Sequence, residues 1–164
     1  MDDAHSMKLQ DRWVDEARGL VSREIFVSDD VYRLELERIF DRTWMFVAHE
    51  SEVPATGDYV VRTLGSAPVI VVRDADRAVH VLLNSCRHRG TKLCRADAGN
   101  ARQFVCPYHG WSYERNGRLI TTTFDRHFPA GTDFSQLGLV AAPRVENYKG
   151  LIFACWDAVG EQSL

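Results

Sequence analysis

The chain has 164 residues and a mass of 18.7 kDa, room for one compact domain with a helical preface and too little for two full catalytic domains. Hydrophobic residues make up 45% and charged residues 26%, which excludes intrinsic disorder, and a net charge of −3 argues against a nucleic-acid binder. With no apolar run beyond about six residues and an acidic start, Met1-Asp2-Asp3, neither a membrane span nor a secretory signal is visible; cytoplasm is the expected compartment, and the four cysteines are expected as thiols or metal ligands.

The N-terminal segment, residues 1–42, reads as helical. Leu9, Trp13 and Ala17 recur every fourth position on one face. A second helix is signalled by Ser28 as its cap and by Asp29 and Asp30 at the positive end of its dipole. Tyr32, Leu36, Ile39 and Phe40 form its apolar stripe.

From residue 43 to 164 the pattern changes to strands. Trp44 to Ala48, Tyr59 to Leu64, Val69 to Arg73 and Val79 to Leu83 are short runs rich in β-branched residues. Asp74-Ala75-Asp76 joins two of them as a hairpin. Trp111 to Arg115 and Arg118 to Thr121 flank Asn116-Gly117, the signal for a type I′ turn. Arg144 to Asn147 and Leu151 to Trp156 make the last pair, and Thr121 to Gly138 reads as a long loop. The expectation is an antiparallel, mainly β domain of roughly nine short strands.

Two segments carry the chemistry: Cys86-Arg87-His88-Arg89-Gly90 and Cys106-Pro107-Tyr108-His109-Gly110-Trp111. Each offers one thiolate and one imidazole, and 17 residues separate His88 from Cys106. Soft thiolate and imidazole donors suit iron–sulfur clusters, zinc or copper, not calcium or magnesium. A zinc finger pairs Cys with Cys and His with His around a helix. The mixed pairing in a β-rich setting favours a Rieske [2Fe–2S] centre, in which two His replace two Cys on one iron. Two ferric ions, two sulfides and two thiolates sum to zero charge, so such a centre accepts an electron more readily than a four-Cys cluster.

On these motifs, together with Asn116-Gly117-Arg118-Leu119 and the upstream Leu36 to Phe40, Trp44 and His49 to Pro54, the chain resembles the N-terminal Rieske domain of aromatic-ring-hydroxylating dioxygenase alpha subunits. The resemblance implies a Rieske-type β-sandwich or barrel with two cluster-binding loops, preceded by N-terminal helices. It implies that Cys86 and Cys106 bind one iron and that His88 and His109 bind the outer iron through a ring nitrogen. Gly90 and Gly110 would let the backbone approach the sulfides or serve ordinary turn geometry, and Trp111 would pack against the loop or the core. Thr91 and Tyr108 stand where respiratory-type Rieske proteins carry two further cysteines, which points to the oxygenase type. Cys94 and Cys155 read as structural thiols. His5, His49, His80 and His127 read as ordinary histidines, and Asp125-Arg126-His127 has only proximity in its favour.

The family's second site, a mononuclear Fe(II) on two His and one carboxylate, uses two His separated by four residues. No pair among His5, His49, His80, His88, His109 and His127 has that separation. The expectation is therefore the electron-transfer part of an oxygenase without its catalytic domain: truncated, split or fragmentary, redox-active and unable to hydroxylate alone. The resemblance implies a ferredoxin or flavin reductase as electron donor, an oxygenase catalytic domain or subunit as acceptor, and a homo-oligomer for the full-length family. A standalone Rieske ferredoxin is the alternative, and a structural zinc module the third reading. Between residues 86 and 102, Arg87, Arg89, Lys92, Arg95 and Arg102 face Asp97 alone, either as a solvated loop or as a docking patch for an acidic partner.

Overall fold

The computed structural model describes residues 13–123, 128–160 and 162–164. His5, Leu9 and the triplet Asp125-Arg126-His127 lie outside the described residues. The chain divides into two compact units, Met1–Ile39 and Phe40–Leu164.

In the first unit the helix expected around Trp13 and Ala17 is replaced by a β-ribbon. Strands β1 (Val14–Asp15) and β2 (Leu20–Val21) pair antiparallel, Val14 opposite Val21. The Asp15 carboxylate accepts the Arg18 N–H, and Gly19 adopts φ +61, which closes the turn. The second expected helix is present. It spans Asp29–Glu35, the Ser28 hydroxyl accepts the Val31 N–H, and Asp29 and Asp30 occupy its first turn. It runs on into one wider π-helical turn, Leu36–Phe40. Among the described residues the preface thus holds one α-helix, not several.

The second unit contains three antiparallel sheets. Strands β4 (Asp58–Leu64), β5 (Ala67–Arg73), β6 (Val79–Leu83) and β7 (Ala98–Asn100) form a four-stranded sheet in the order β6-β5-β4-β7. Strand β3 (Met45–His49) pairs with β12 (Leu151–Cys155), which pairs with β11 (Arg144–Tyr148). The third sheet joins β8 (Phe104–Val105), β9 (Ser112–Tyr113) and β10 (Leu119–Thr121). The sheets are open, so the sandwich-or-barrel expectation resolves, among the described residues, into ten short strands in three sheets.

Strand β5 organises the interior. Val69, Ile70, Val71 and Val72 are all buried, so both faces of the strand are covered, and side chains alternate between faces. Val69 and Val71 join one core with Val47, Leu64 and Ile152. Ile70 and Val72 join another with Cys86, Cys106, Trp111 and Tyr113. Each such aliphatic side chain contributes about 1.5–3 kcal/mol on burial.

The turns differ from expectation in an instructive way. At Asn116-Gly117 only Gly117 has positive φ, +91. Glu114 and Arg118 bond to each other, and Gly117 N–H reaches the Glu114 carbonyl at 3.0 Å, giving a three-residue loop rather than type I′. The positive-φ pair stands at Lys149 (φ +52) and Gly150 (φ +89), between the paired residues Tyr148 and Leu151. That is the two-residue primed turn. Strands β7 and β8 lack a sequence signal; Gly99 of β7 lies opposite Tyr59, whose ring fills the space a side chain would take. The segment from Thr121 to Gly138 holds only a short 3₁₀ turn, Phe134–Leu137, among the described residues. No helix among the described residues is long and apolar enough to cross a membrane.

Candidate metal centre

The two Cys–His segments are the same turn built twice. Strand β6 ends before Asn84, and the first loop follows at Cys86. The second loop is the connection from β8 to β9. In the first, Cys86 N–H donates to the Thr91 carbonyl and Gly90 N–H to the Cys86 carbonyl, both at 2.9 Å. In the second, Cys106 N–H donates to the Trp111 carbonyl at 2.7 Å and Gly110 N–H to the Cys106 carbonyl at 3.0 Å. Gly90 and Gly110 sit at φ +71 and +73, the left-handed region where a side chain is strained. The glycines are required by the turn itself. At Gly110 a Cβ would also come within 2.7 Å of Thr123 Oγ1, whose hydroxyl donates to the His109 carbonyl.

The turns sort the donors by depth. Cys86 and Cys106 are each 3% exposed and are free thiols, whereas His88 is exposed and His109 half-buried. The imidazole rings come together at the tips, centroids 4.8 Å apart and planes at 65°. His88 lies flat against Trp111, 4.9 Å between centroids at 7°, and His109 stacks on Tyr108 at 3.8 Å. Desolvation first, then His109 and Arg89, lower the pKa of His88, favouring the neutral imidazole a metal needs.

Several side chains around the loops escape sequence reasoning. Tyr113 is fully buried, and its hydroxyl lies 3.2 Å from Cys86 Sγ. The same oxygen accepts the Arg87 N–H at 3.2 Å, so its own proton is free to point at the sulfur. Burial, and then Cys86, push the phenol above its ordinary value, which keeps it a donor. Asn84 is buried and accepts from the N–H groups of Leu93 and Cys94 while donating to the Cys94 carbonyl at 2.8 Å. It ties the far side of the first loop back to the end of β6. The only sequence signal for Asn84 is a polar residue directly after an apolar strand.

The remaining candidates stay structural. Burial pushes the Cys94 thiol up to about 11, and Cys155 is fully buried in β12. His49 caps a short turn by accepting the Ser51 N–H. Asp74, Asp76 and His80 gather within 4.8 Å, but Asp74 is taken up by Arg115 at 2.9 Å and Asp76 by the Ala78 N–H.

The residues present fit a bridged iron–sulfur group. Two free thiols lie buried at the bases of matching turns, and two imidazoles lie at the tips. The Nδ1 atom of His109 is buried with no hydrogen-bond partner, an orphan that a metal would satisfy.

A β domain presenting paired Cys–His loops of one design, two donors deep and two shallow, is a soft-metal redox module. The chain belongs to the Rieske [2Fe–2S] domain family, whose profile matches residues 43–134. It is 44% identical over 151 residues to the biphenyl dioxygenase subunit alpha of Metapseudomonas furukawaii, covering 88% of this chain and 33% of that protein. Its fold matches naphthalene 1,2-dioxygenase with a TM-score of 0.82 at 38% identity, over 87% of this chain and 32% of that one. A quaternary ammonium Rieske monooxygenase, studied for carnitine oxidation and inter-subunit electron transfer, matches with a TM-score of 0.77 at 29% identity, over 85% and 38% of the two chains. The chain is thus homologous to the N-terminal region of ring-hydroxylating dioxygenase alpha subunits and spans about a third of the length of these relatives.

Proposed function

We propose that this chain is the electron-receiving domain of a ring-hydroxylating oxygenase alpha subunit, with Cys86 and Cys106 holding one iron of a Rieske [2Fe–2S] cluster and His88 and His109 the other. The observation that carries this reading is the twin turn, which repeats one hydrogen-bond pattern around both Cys–His pairs. When bound, the cluster stores and releases one electron at a potential raised by its two imidazole ligands.

The chain's own residues set the conditions for that transfer. The buried cysteines keep water from the sulfur side, and exposed His88 presents an edge to a partner. Trp111 fixes the plane of the His88 ring, and Tyr113 aims a proton at Cys86. Such outer contacts orient ligands and tune the centre.

The donor in this reading is a ferredoxin or flavin reductase. The acceptor is a mononuclear Fe(II) in an oxygenase catalytic domain or subunit, within a homo-oligomer. Inter-subunit electron transfer in the quaternary ammonium monooxygenase is consistent with that arrangement. The biphenyl and naphthalene dioxygenases favour an aromatic substrate that is dihydroxylated. The biphenyl dioxygenase match covers 88% of the chain, more than residues 43–134, which favours the oxygenase over a standalone Rieske ferredoxin. Residues 1–42 serve as a preface and 43–164 as the cluster domain. Four unpaired thiols suit the reducing cytoplasm.

The test is anaerobic reconstitution of the purified chain. Two irons and two acid-labile sulfides per chain, with a coloured product that is paramagnetic when reduced, are expected. Cys86→Ser is expected to abolish the signal and Cys94→Ser to leave it intact. One zinc, no sulfide and no colour would refute the proposal. With arene, reductant and oxygen the chain alone is expected to give no diol.

A further inference from the structure

Elsewhere in the cluster domain Arg62 pairs with Glu52, Arg115 with Asp74 and Arg118 with Glu114, while Arg73 and Arg144 donate to backbone carbonyls. The first loop differs. Arg87, Arg89, Lys92 and Arg95 fall within nine consecutive positions, all are exposed, and no acidic residue occurs before Asp97. Among the described residues none of the four forms an ion pair. The fold holds them outward. The turn closed by Cys86, Gly90 and Thr91 places Arg87 and Arg89 on either side of His88. The Asn84 side chain draws the backbone of Leu93 and Cys94 inward and buries both residues, leaving Lys92 and Arg95 at the surface. Like charges crowded without counter-charges destabilise a loop, so their retention points to a counter-charge supplied from outside.

The second loop has no such charge. Its exposed tip is Pro107-Tyr108, with Tyr108 59% exposed and stacked on His109. The centre therefore has one basic lip and one uncharged aromatic lip. A transient electron-transfer encounter is small and relies on charge for speed, whereas a lasting subunit contact is more apolar. We propose that Arg87, Arg89, Lys92 and Arg95 form the docking rim for the acidic face of a small electron-donor protein, which meets the cluster at His88. This inference rests on the proposed function above and specifies where its donor binds. Steering of this kind raises association rates by roughly 10 to 10³ and falls as salt shortens the reach of the field from about 30 Å at 0.01 M to about 8 Å at 0.15 M.

The experiment uses the reconstituted full chain and, as probe, a reduced plant-type [2Fe–2S] ferredoxin with an acidic surface. Its potential lies below the Rieske range, which makes transfer to a Rieske centre downhill. Stopped-flow absorbance gives the bimolecular rate constant. For the wild type we expect a fall of about tenfold between 0.01 M and 0.15 M salt. Lys92→Glu with Arg95→Glu, which touches neither loop turn, is expected to slow reduction about tenfold at low salt and to flatten the salt dependence. Arg33→Glu with Arg38→Glu makes the same change in net charge outside the cluster domain and is expected to leave the rate within about twofold. Visible spectra and midpoint potentials of all three proteins should agree. A Lys92→Glu/Arg95→Glu protein as fast as wild type at low salt, or equal slowing in the Arg33/Arg38 protein, would overturn the rim while leaving the cluster reading standing. A chain that assembles no cluster would overturn both.

Discussion

Replacing Tyr113 with Phe removes one oxygen from a fully buried ring and leaves the packing of that ring in place. The lost hydroxyl is 3.2 Å from Cys86 Sγ, and its other contact is the Arg87 N–H, also 3.2 Å away. Because the oxygen already accepts from Arg87, its proton is directed at the sulfur. Reduction adds an electron to the centre that Cys86 is proposed to ligate, so the bond strengthens on reduction. A hydrogen bond to a charged acceptor is worth about 1.5–3 kcal/mol, against about 0.5–1.5 for a neutral one. The difference, about 1 to 1.5 kcal/mol, stabilises the reduced state. A one-electron couple moves by about 59 mV per 1.4 kcal/mol, so Tyr113→Phe is expected to lower the midpoint potential by about 40–60 mV. Spectroelectrochemical titration of the reconstituted chain measures this directly. Because Tyr113 is held as a donor, the drop should not depend on pH across the neutral range. A potential within about 15 mV of wild type, in a protein whose visible spectrum is unchanged, would refute the idea that Tyr113 tunes the centre through Cys86.

Other outcomes follow from single features of the fold. Gly110→Ala should destabilise the domain more than Gly90→Ala in chemical denaturation. Both suffer the left-handed penalty of about 1–2 kcal/mol, but only at Gly110 does the new Cβ meet Thr123 Oγ1, at 2.7 Å against 3.8 Å to Ser85 Oγ at Gly90. Lys149→Asn should raise stability by about 0.5–1 kcal/mol, since Asn tolerates the φ of +52 and Asn-Gly suits this primed turn; an unchanged midpoint would mean the Lys side chain contributes as much in place. Burial alone would raise the pKa of Asp74, but the Ala75 N–H and Arg115 outweigh it and lower the value. A carboxylate with a lowered folded pKa stabilises above its unfolded value of about 3.8 and loses that contribution as pH falls through the folded value. The stability gap between wild type and Asp74→Asn should therefore be flat at neutral pH and close below about pH 4; a gap that widens on acidification would contradict the sign.

The cluster motifs are legible in the sequence because a metal site allows few side chains, and loop geometry fixes their spacing. Cys86, His88, Cys106 and His109 carry that signal without any help from tertiary structure. The supporting residues do not. Tyr113 reads as an ordinary strand aromatic, because Cys86 is 27 positions away in sequence and only the fold brings them together. Turn chemistry misleads for a related reason. Asn116-Gly117 has the stronger local preference, yet strand register decides the type of turn. Tyr113 pairs with Leu119 and leaves a wider loop, whereas Tyr148 pairs with Leu151 and leaves only Lys149-Gly150 between them. The same holds at Trp13 and Ala17, where four-residue spacing suggests a helix but Gly19 and Asp15 close a ribbon turn.

Strand β5 shows why register matters for function as well as for folding. Its alternation sends Ile70 and Val72 into the core that contains Cys86, Cys106 and Tyr113, and sends Val69 and Val71 into the core of β3 and β12. A slip of one residue would exchange the two sets and place the Cys–His loops on a surface shaped for other side chains. The two loops do not bond to each other through any strand pairing. Their separation is therefore set by the His88–Trp111 stack between them and, from beneath, by the core that Ile70, Val72 and Leu82 share with Trp111 and Tyr113. A cavity at Ile70 acts where the loops rest, while an equal cavity at Val71 is on the other side of the sheet. The spacing of the four proposed ligands is thus a property of the core as much as of the motifs.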